Sequence, residues 1–99
     1  IIQSMAIIDW LDRAYPEPRL IPEEAQPRAV ALAQALVVAC DIHPLNNLRI
    51  LKYLTRDLGL NETVKDRWIA RWIIEGFEAL EAMAGDGPFM GGDAPGIAD

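Results

Sequence analysis

The chain has little cysteine, little histidine and no basic cluster, and each shortage excludes a class of function. One cysteine, Cys40, cannot form an internal disulfide, which fits a reducing compartment such as the cytoplasm. A single histidine, His43, rules out a histidine-based metal cluster, and Cys40 has no CxxC partner, so no metal site is expected. The nine Lys and Arg residues are scattered from Arg13 to Arg71 against fifteen acidic residues, for a formal charge of −6. Binding a phosphate backbone needs a concentrated basic surface, so nucleic acid is not an expected partner. No uninterrupted apolar run approaches the roughly 20 residues of a membrane span, so no membrane partner is expected either. The opening Ile1-Ile2-Gln3-Ser4 has no basic stretch or cleavage site of a secretory signal. No Walker-type phosphate loop occurs.

What the chain does have is apolar material. Hydrophobic residues make up 52% of its 99 residues, enough for the core of one small domain. Ile1-Ile2 reads as the end of a β-strand, and Ser4 as a helix N-cap. Met5, Ile8, Leu11 and Tyr15 follow at helical spacing, with Ile7 and Trp10 widening the apolar face. Pro16 and Pro18 end that helix. Three prolines in the eight residues from Tyr15 to Pro22 mark a linker.

A second apolar stripe runs through Val30, Ala33, Leu36, Val37 and Cys40. It resumes after Pro44 at Leu45, Leu48, Leu51, Leu54 and Leu58, as expected of a long helix kinked or broken at His43-Pro44. Gly59 reads as its C-cap and Asn61 as the N-cap of the next helix. Val64, Trp68, Ile69, Trp72, Ile73, Phe77, Leu80 and Met83 give that helix a wide apolar face, within which Gly76 marks a close helix contact. A turn-rich stretch from Gly85 to Gly92 leads to Gly96-Ile97-Ala98-Asp99, which resembles a first helical turn with Asp99 reaching back to an orphan N–H. The fold class is all-α.

Two places could carry chemistry. At Gln3-Ser4, free N–H groups, the helix dipole and a hydroxyl converge, as an anion site requires. The plainer alternative is a capping serine beside an exposed glutamine, and it is the commoner pattern. At the kink, His43, Asn46, Asn47 and Arg49 gather near backbone groups freed by Pro44. There the plainer alternative is that His43 and Asn46 satisfy those groups themselves. Cys40, on the apolar stripe, reads as a buried structural thiol. Trp68 and Trp72 read as core, and Glu23-Glu24 and Glu78/Glu81 as solvated helix faces.

The run from Ile1 to Leu11, followed by Tyr15-Pro16-Glu17-Pro18, resembles the end of the thioredoxin-like domain of a glutathione transferase. Asp41-Ile42-His43-Pro44-Leu45-Asn46-Asn47-Leu48 is similar to the zeta class, which contains the maleylacetoacetate isomerases. Gly76-Phe77-Glu78-Ala79-Leu80-Glu81 and Gly92-Asp93-Ala94-Pro95 extend the likeness over nearly the whole chain. The resemblance implies that residues 1–15 are the last strand end and helix of the thioredoxin-like domain. It makes 16–22 the linker and 23–99 part of an all-helical C-terminal domain. It implies glutathione as cofactor, with Gln3 and Ser4 on the γ-glutamyl end and His43, Asn47 and Arg49 near glutathione or a small diacid substrate. It implies a cytoplasmic homodimer that isomerises maleylacetoacetate by reversible thiolate addition, with maleylpyruvate or haloacids as alternative substrates. A non-catalytic helical interaction module is the remaining alternative. The family's thiol-activating Ser/Cys segment does not occur here, so no catalytic residue is expected in these 99 residues and the chain alone is expected to be inactive.

Overall fold

The structure, a computed structural model, describes residues 1–99. It contains α1 (Ser4–Ala14), α2 (Ala25–Leu36), a π-helical turn (Val37–Ile42), α3 (His43–Asn46), α4 (Leu48–Lys52), a second π turn (Tyr53–Asp57) and α5 (Glu62–Met83). There is no strand, only an isolated antiparallel bridge between Phe89 and Gly92. The all-α expectation therefore holds. Ile1 and Ile2, expected as the end of a β-strand, are instead exposed and irregular, with no partner strand to supply the ladder a strand end needs.

The chain divides into two compact units, one made of Ile1–Leu36 with Met83–Asp99 and the other of Val37–Ala82. In the first, the segment between α1 and α2 is irregular, as its prolines require, and ends in Ile21, which is fully buried. α2 buries Gln34 and Ala35, not the expected stripe, for Val30 and Leu36 stay exposed. The reason lies in what covers the helix. Gln34 Nε2 donates to the carbonyls of Met83 (3.2 Å) and Met90 (3.4 Å), fixing the irregular C-terminal segment over that face. The same segment is tied by Ile97 N–H donating to the Leu20 carbonyl at 3.0 Å. The anticipated turn at Gly96 forms: Asp99 accepts from Gly96 N–H (2.8 Å) and from Met90 N–H (2.9 Å). These two donors hold the Asp99 carboxyl below the usual carboxylate range.

In the second unit the helical path is not broken at His43-Pro44. Pro44 has no N–H and its ring crowds the carbonyl four residues back. The turn before it is wound as π helix, and Pro44 falls in the first turn of α3, where no N–H is required. The interruption comes at Asn47, whose backbone is extended (φ −71°, ψ 158°). Leu58 is the C-cap of the second π turn, and Gly59, at φ +69°, stands just after it in the left-handed position that ends the helix. Asn61 caps α5, its Oδ1 accepting from Val64 N–H at 3.0 Å. Gly76 is the only buried residue of α5 and lies against Ile42, also buried. Trp68 and Trp72 stack edge to face with ring centres 5.6 Å apart, and Trp68 Nε1 donates to the Leu45 carbonyl. Much apolar surface is left uncovered, including Leu48, Ile74 and Phe77. Although no apolar run is uninterrupted, the helical stretch Ala25–Asp57 is long and apolar enough, by length and composition, to cross a membrane.

Candidate functional site

α1 does not begin as expected. Ser4 is its first helical residue and Gln3 is the N-cap, so the serine hydroxyl makes no capping bond and neither does the Gln3 side chain. Gln3 itself stands at φ 73°, ψ 120°. A non-glycine residue at positive φ is strained, and such strain persists where the surroundings over-determine it, often at a ligand site. The Gln3 carbonyl accepts from Ile7 N–H at 3.1 Å and starts the helical ladder. The first-turn N–H groups are thus left without a side-chain cap, at the positive end of an 11-residue helix. Gln3 and Ser4 are both exposed. This arrangement suits a carboxylate better than the plain capping serine would.

The same unit contains a polar framework that helical periodicity did not reveal. The only buried residue of α1 is Asp12, 5% exposed. Its Oδ1 accepts from the N–H groups of Leu20 (2.6 Å) and Ile21 (3.3 Å). Its Oδ2 faces Arg19 at 3.5 Å, within ion-pair range but making no hydrogen bond. Three residues earlier, Asp9 accepts from Arg28 of α2 at 2.6 Å and from Arg13 at 3.1 Å. The Arg28 hydrogen bond, above the other influences, holds the Asp9 carboxyl below its ordinary range.

In the second unit, His43 is exposed at the start of α3, and Arg49 is exposed and forms no ion pair. Asn47 is engaged at both ends: Oδ1 accepts from Ile50 N–H (3.1 Å) and Nδ2 donates to the Pro44 carbonyl (3.0 Å). The Pro44 carbonyl that Asn47 meets is left open by the extended Asn47 backbone and not by the missing proline N–H, while Asn46 Nδ2 reaches the Ile69 carbonyl at 3.5 Å. His43, Asn47 and Arg49 lie within seven residues of one another around the Asn47 break, whereas Gln3 and Ser4 belong to the first unit. Cys40 is not buried, as its place on the apolar stripe had suggested. It is exposed in a cleft of about 350 Å³ lined also by Asp41 and Leu45 and by Trp72 and Glu75 of α5.

No protein-family model matches the chain. The maleylpyruvate isomerase of a Ralstonia species is 46% identical over 103 aligned residues, which cover all of this chain and 49% of the relative. A solved bacterial maleylpyruvate isomerase, described as a zeta-class glutathione transferase, superposes with a TM-score of 0.93 at 44% identity. The match covers 99% of this chain and 48% of that one. The chain belongs to the zeta-class glutathione transferases. A further solved structure, the maleylacetoacetate isomerase of Anaeromyxobacter dehalogenans, holds dicarboxyethyl glutathione and citrate in its active site. It matches with a TM-score of 0.91 at 36% identity over all of this chain and 44% of that one. The chain spans about half the length of the relatives it matches. The family resemblance drawn from Asp41 to Leu48 therefore stands.

Proposed function

We propose that this chain is part of a glutathione-dependent isomerase acting on a maleyl-type diacid. The observation that carries the reading is the uncapped N-terminus of α1 beneath a strained Gln3. Its free N–H groups, the helix dipole and the Ser4 hydroxyl fit the carboxylate of a γ-glutamyl group. Gln3 supplies a side-chain amide beside them. His43, Asn47 and Arg49 are the second set, with Arg49 an unpaired cation for a carboxylate of glutathione or of the diacid. Asn47 keeps one N–H and one lone pair free of its capping role. Activation of the glutathione thiol is assigned to no residue of this chain.

The chemistry is closed within itself. The thiolate adds to the cis-alkene, and the alkene electrons move onto the conjugated carbonyl. The new single bond rotates, and re-expulsion of the thiolate leaves the trans product with no net change in composition. Both maleylacetoacetate and maleylpyruvate fit it, and both names occur among the relatives. In the natural full-length protein, residues 1–15 close a thioredoxin-like domain, 16–22 link it, and 23–99 open an all-helical domain. We place the protein in the cytoplasm as a homodimer. His43, Pro44, Asn46, Asn47 and Arg49 interrupt its long apolar helical stretch, which argues against a membrane span.

The test is glutathione binding by calorimetry, followed by isomerisation of each substrate with and without glutathione, in the full-length protein. Gln3→Ala and Ser4→Ala should each weaken glutathione binding about tenfold or more, the scale of a lost hydrogen bond to a charged group. Glutathione binding unaffected by either substitution would overturn the site. Binding without isomerisation of either diacid would overturn the reaction. Intact mass decides which protein is in the tube: a mass well above 11.0 kDa is required for the activity assay to apply.

A further inference from the structure

We propose that Asp12 and Asp9 are positioning residues that lock α1, and with it Gln3-Ser4, onto the Leu20-Ile21 segment and α2. The inference rests on the glutathione reading of Gln3-Ser4 given above.

α1 is held in its unit in an unusual way. An amphipathic helix is normally fixed by burying its apolar face. Here Trp10 and Leu11 remain 50% and 44% exposed, while the one residue sealed from solvent is a carboxylate. Asp12 gathers the N–H groups of Leu20 and Ile21, and Ile21 is itself completely buried, so that end of the connection is fixed in its unit. Asp9 reaches a different element, Arg28 of α2, at 2.6 Å. Residues three apart share a helix face, so both anchors act from one side of α1 at successive turns. Arg19 joins the two carboxylates Asp12 and Glu23, and Arg13 returns to Asp9, which keeps the charges balanced.

Hydrogen bonds make a stiffer lock than apolar contact, because they are directional and short-ranged. A one-residue rotation of α1 is about 100° and takes both carboxylates off their partners, and a one-residue slide, about 1.5 Å, lengthens all the anchoring bonds together. The anchors therefore favour one azimuth and one axial position. The N-terminus of α1, about one and a half turns from Asp9, is where Gln3 is held at positive φ. A strained residue of that kind needs fixed surroundings. An anion site made of N–H groups likewise depends on where they point.

The experiment uses the natural full-length protein with Asp12→Ala, Asp12→Asn and Arg28→Met. Two readouts are taken: hydrogen exchange of the Leu20 and Ile21 amides, and steady-state kinetics against glutathione. In Asp12→Ala both amides should exchange at least about tenfold faster, and the KM for glutathione should rise about tenfold, with kcat at saturation within about twofold. Asp12→Asn keeps an acceptor for the two amides and should recover both readouts to within about threefold. Arg28→Met, which removes only the Asp9 anchor and leaves Asp12 intact, should raise KM at least about threefold. A merely structural role would lower thermal stability and active fraction and leave KM alone. Folded Asp12→Ala or Arg28→Met with unchanged KM would therefore overturn the proposal. If Asp12→Ala fails to fold, Asp12→Asn and Arg28→Met decide it by the same criterion. Failure of the unsubstituted protein to bind glutathione would overturn the reading of Gln3-Ser4 and this role with it. The amide exchange would still report whether the lock exists, so the two failures are distinguishable.

Discussion

Gly76→Ala sets two effects of known size against each other. Alanine in place of glycine inside a helix ordinarily stabilises by about 1 kcal/mol. At Gly76 the added methyl would overlap Cγ1 and Cδ1 of Ile42, well inside van der Waals contact. Ile42 is 8% exposed and belongs to a π turn on the far side of the contact, so it has little room to yield. Overpacking of a buried site costs about 1–3 kcal/mol, and overlap with two atoms at once belongs at the upper end. The net result is a loss of about 2 kcal/mol, or roughly 8–16 °C in Tm for a protein of this size. The assay is urea unfolding followed by circular dichroism. Ile42→Ala removes both overlapping atoms and by itself costs about 2–5 kcal/mol. In that background Gly76→Ala should become neutral or stabilising by about 1 kcal/mol, for a coupling of about 2–3 kcal/mol. Gly85→Ala is the control: no atom lies within 4 Å of its added methyl, so stability should not fall. Stabilisation by Gly76→Ala with Ile42 intact would refute the close contact.

Asn61→Ala removes the acceptor for Val64 N–H and should cost about 0.5–2 kcal/mol in a denaturation midpoint; no loss would mean that the cap is replaced by water. Asp99 and Asp9 both have folded-state values below their ordinary ones, so the unfolded chain binds their protons more readily. Their contribution to stability is present above the unfolded value, near 3.9, and is lost as pH falls through the lower folded values. The Met90 and Gly96 amide resonances should shift with that titration, and the urea midpoint should fall over the same window; a flat response would refute the Asp99 contacts. Cys40, being exposed, should react with a thiol reagent in the native protein at a rate within about tenfold of that in urea. Labelling only after unfolding would refute that exposure.

The features legible in the sequence were those set by single residues acting over three or four positions. Asn61 caps its helix, Gly59 turns to positive φ, and Asp99 reaches back to Gly96, because each depends on local backbone geometry. Gly76 could be read because a lone glycine within a wide apolar face leaves a notch that a neighbouring side chain fills. The kink at Pro44 was half legible. Proline states that a regular α turn cannot pass, but winding the preceding turn as π and breaking the path at Asn47 is a tertiary choice. At the start of α1 the pattern makes Ser4 the cap, whereas in the structure Gln3 takes that place and Ser4 begins the helix. The positive φ that makes Gln3 the cap is invisible to a pattern that ranks serine first.

The stripes misled for a different reason, and it bears on the site. Periodicity tells which face of a helix is apolar, not what covers it. Val30, Leu36, Leu48 and Phe77 lie on correctly read apolar faces and are exposed all the same. Asp12 gave the opposite error. It stands seven residues after Met5 and four after Ile8, so a helical wheel puts this charge inside the apolar stripe, where a count of apolar positions passes over it. Its burial follows from two N–H groups eight and nine residues downstream, in a segment with no periodicity at all. A carboxylate is stable there because the bonds replace its water. The sequence does contain one clue. An irregular, proline-rich connection with no helix or strand to receive its N–H groups must send the inward-facing ones to some acceptor. Asking which acidic side chain of the neighbouring helix could reach Leu20 and Ile21 leads to Asp12 without any appeal to apolar pattern.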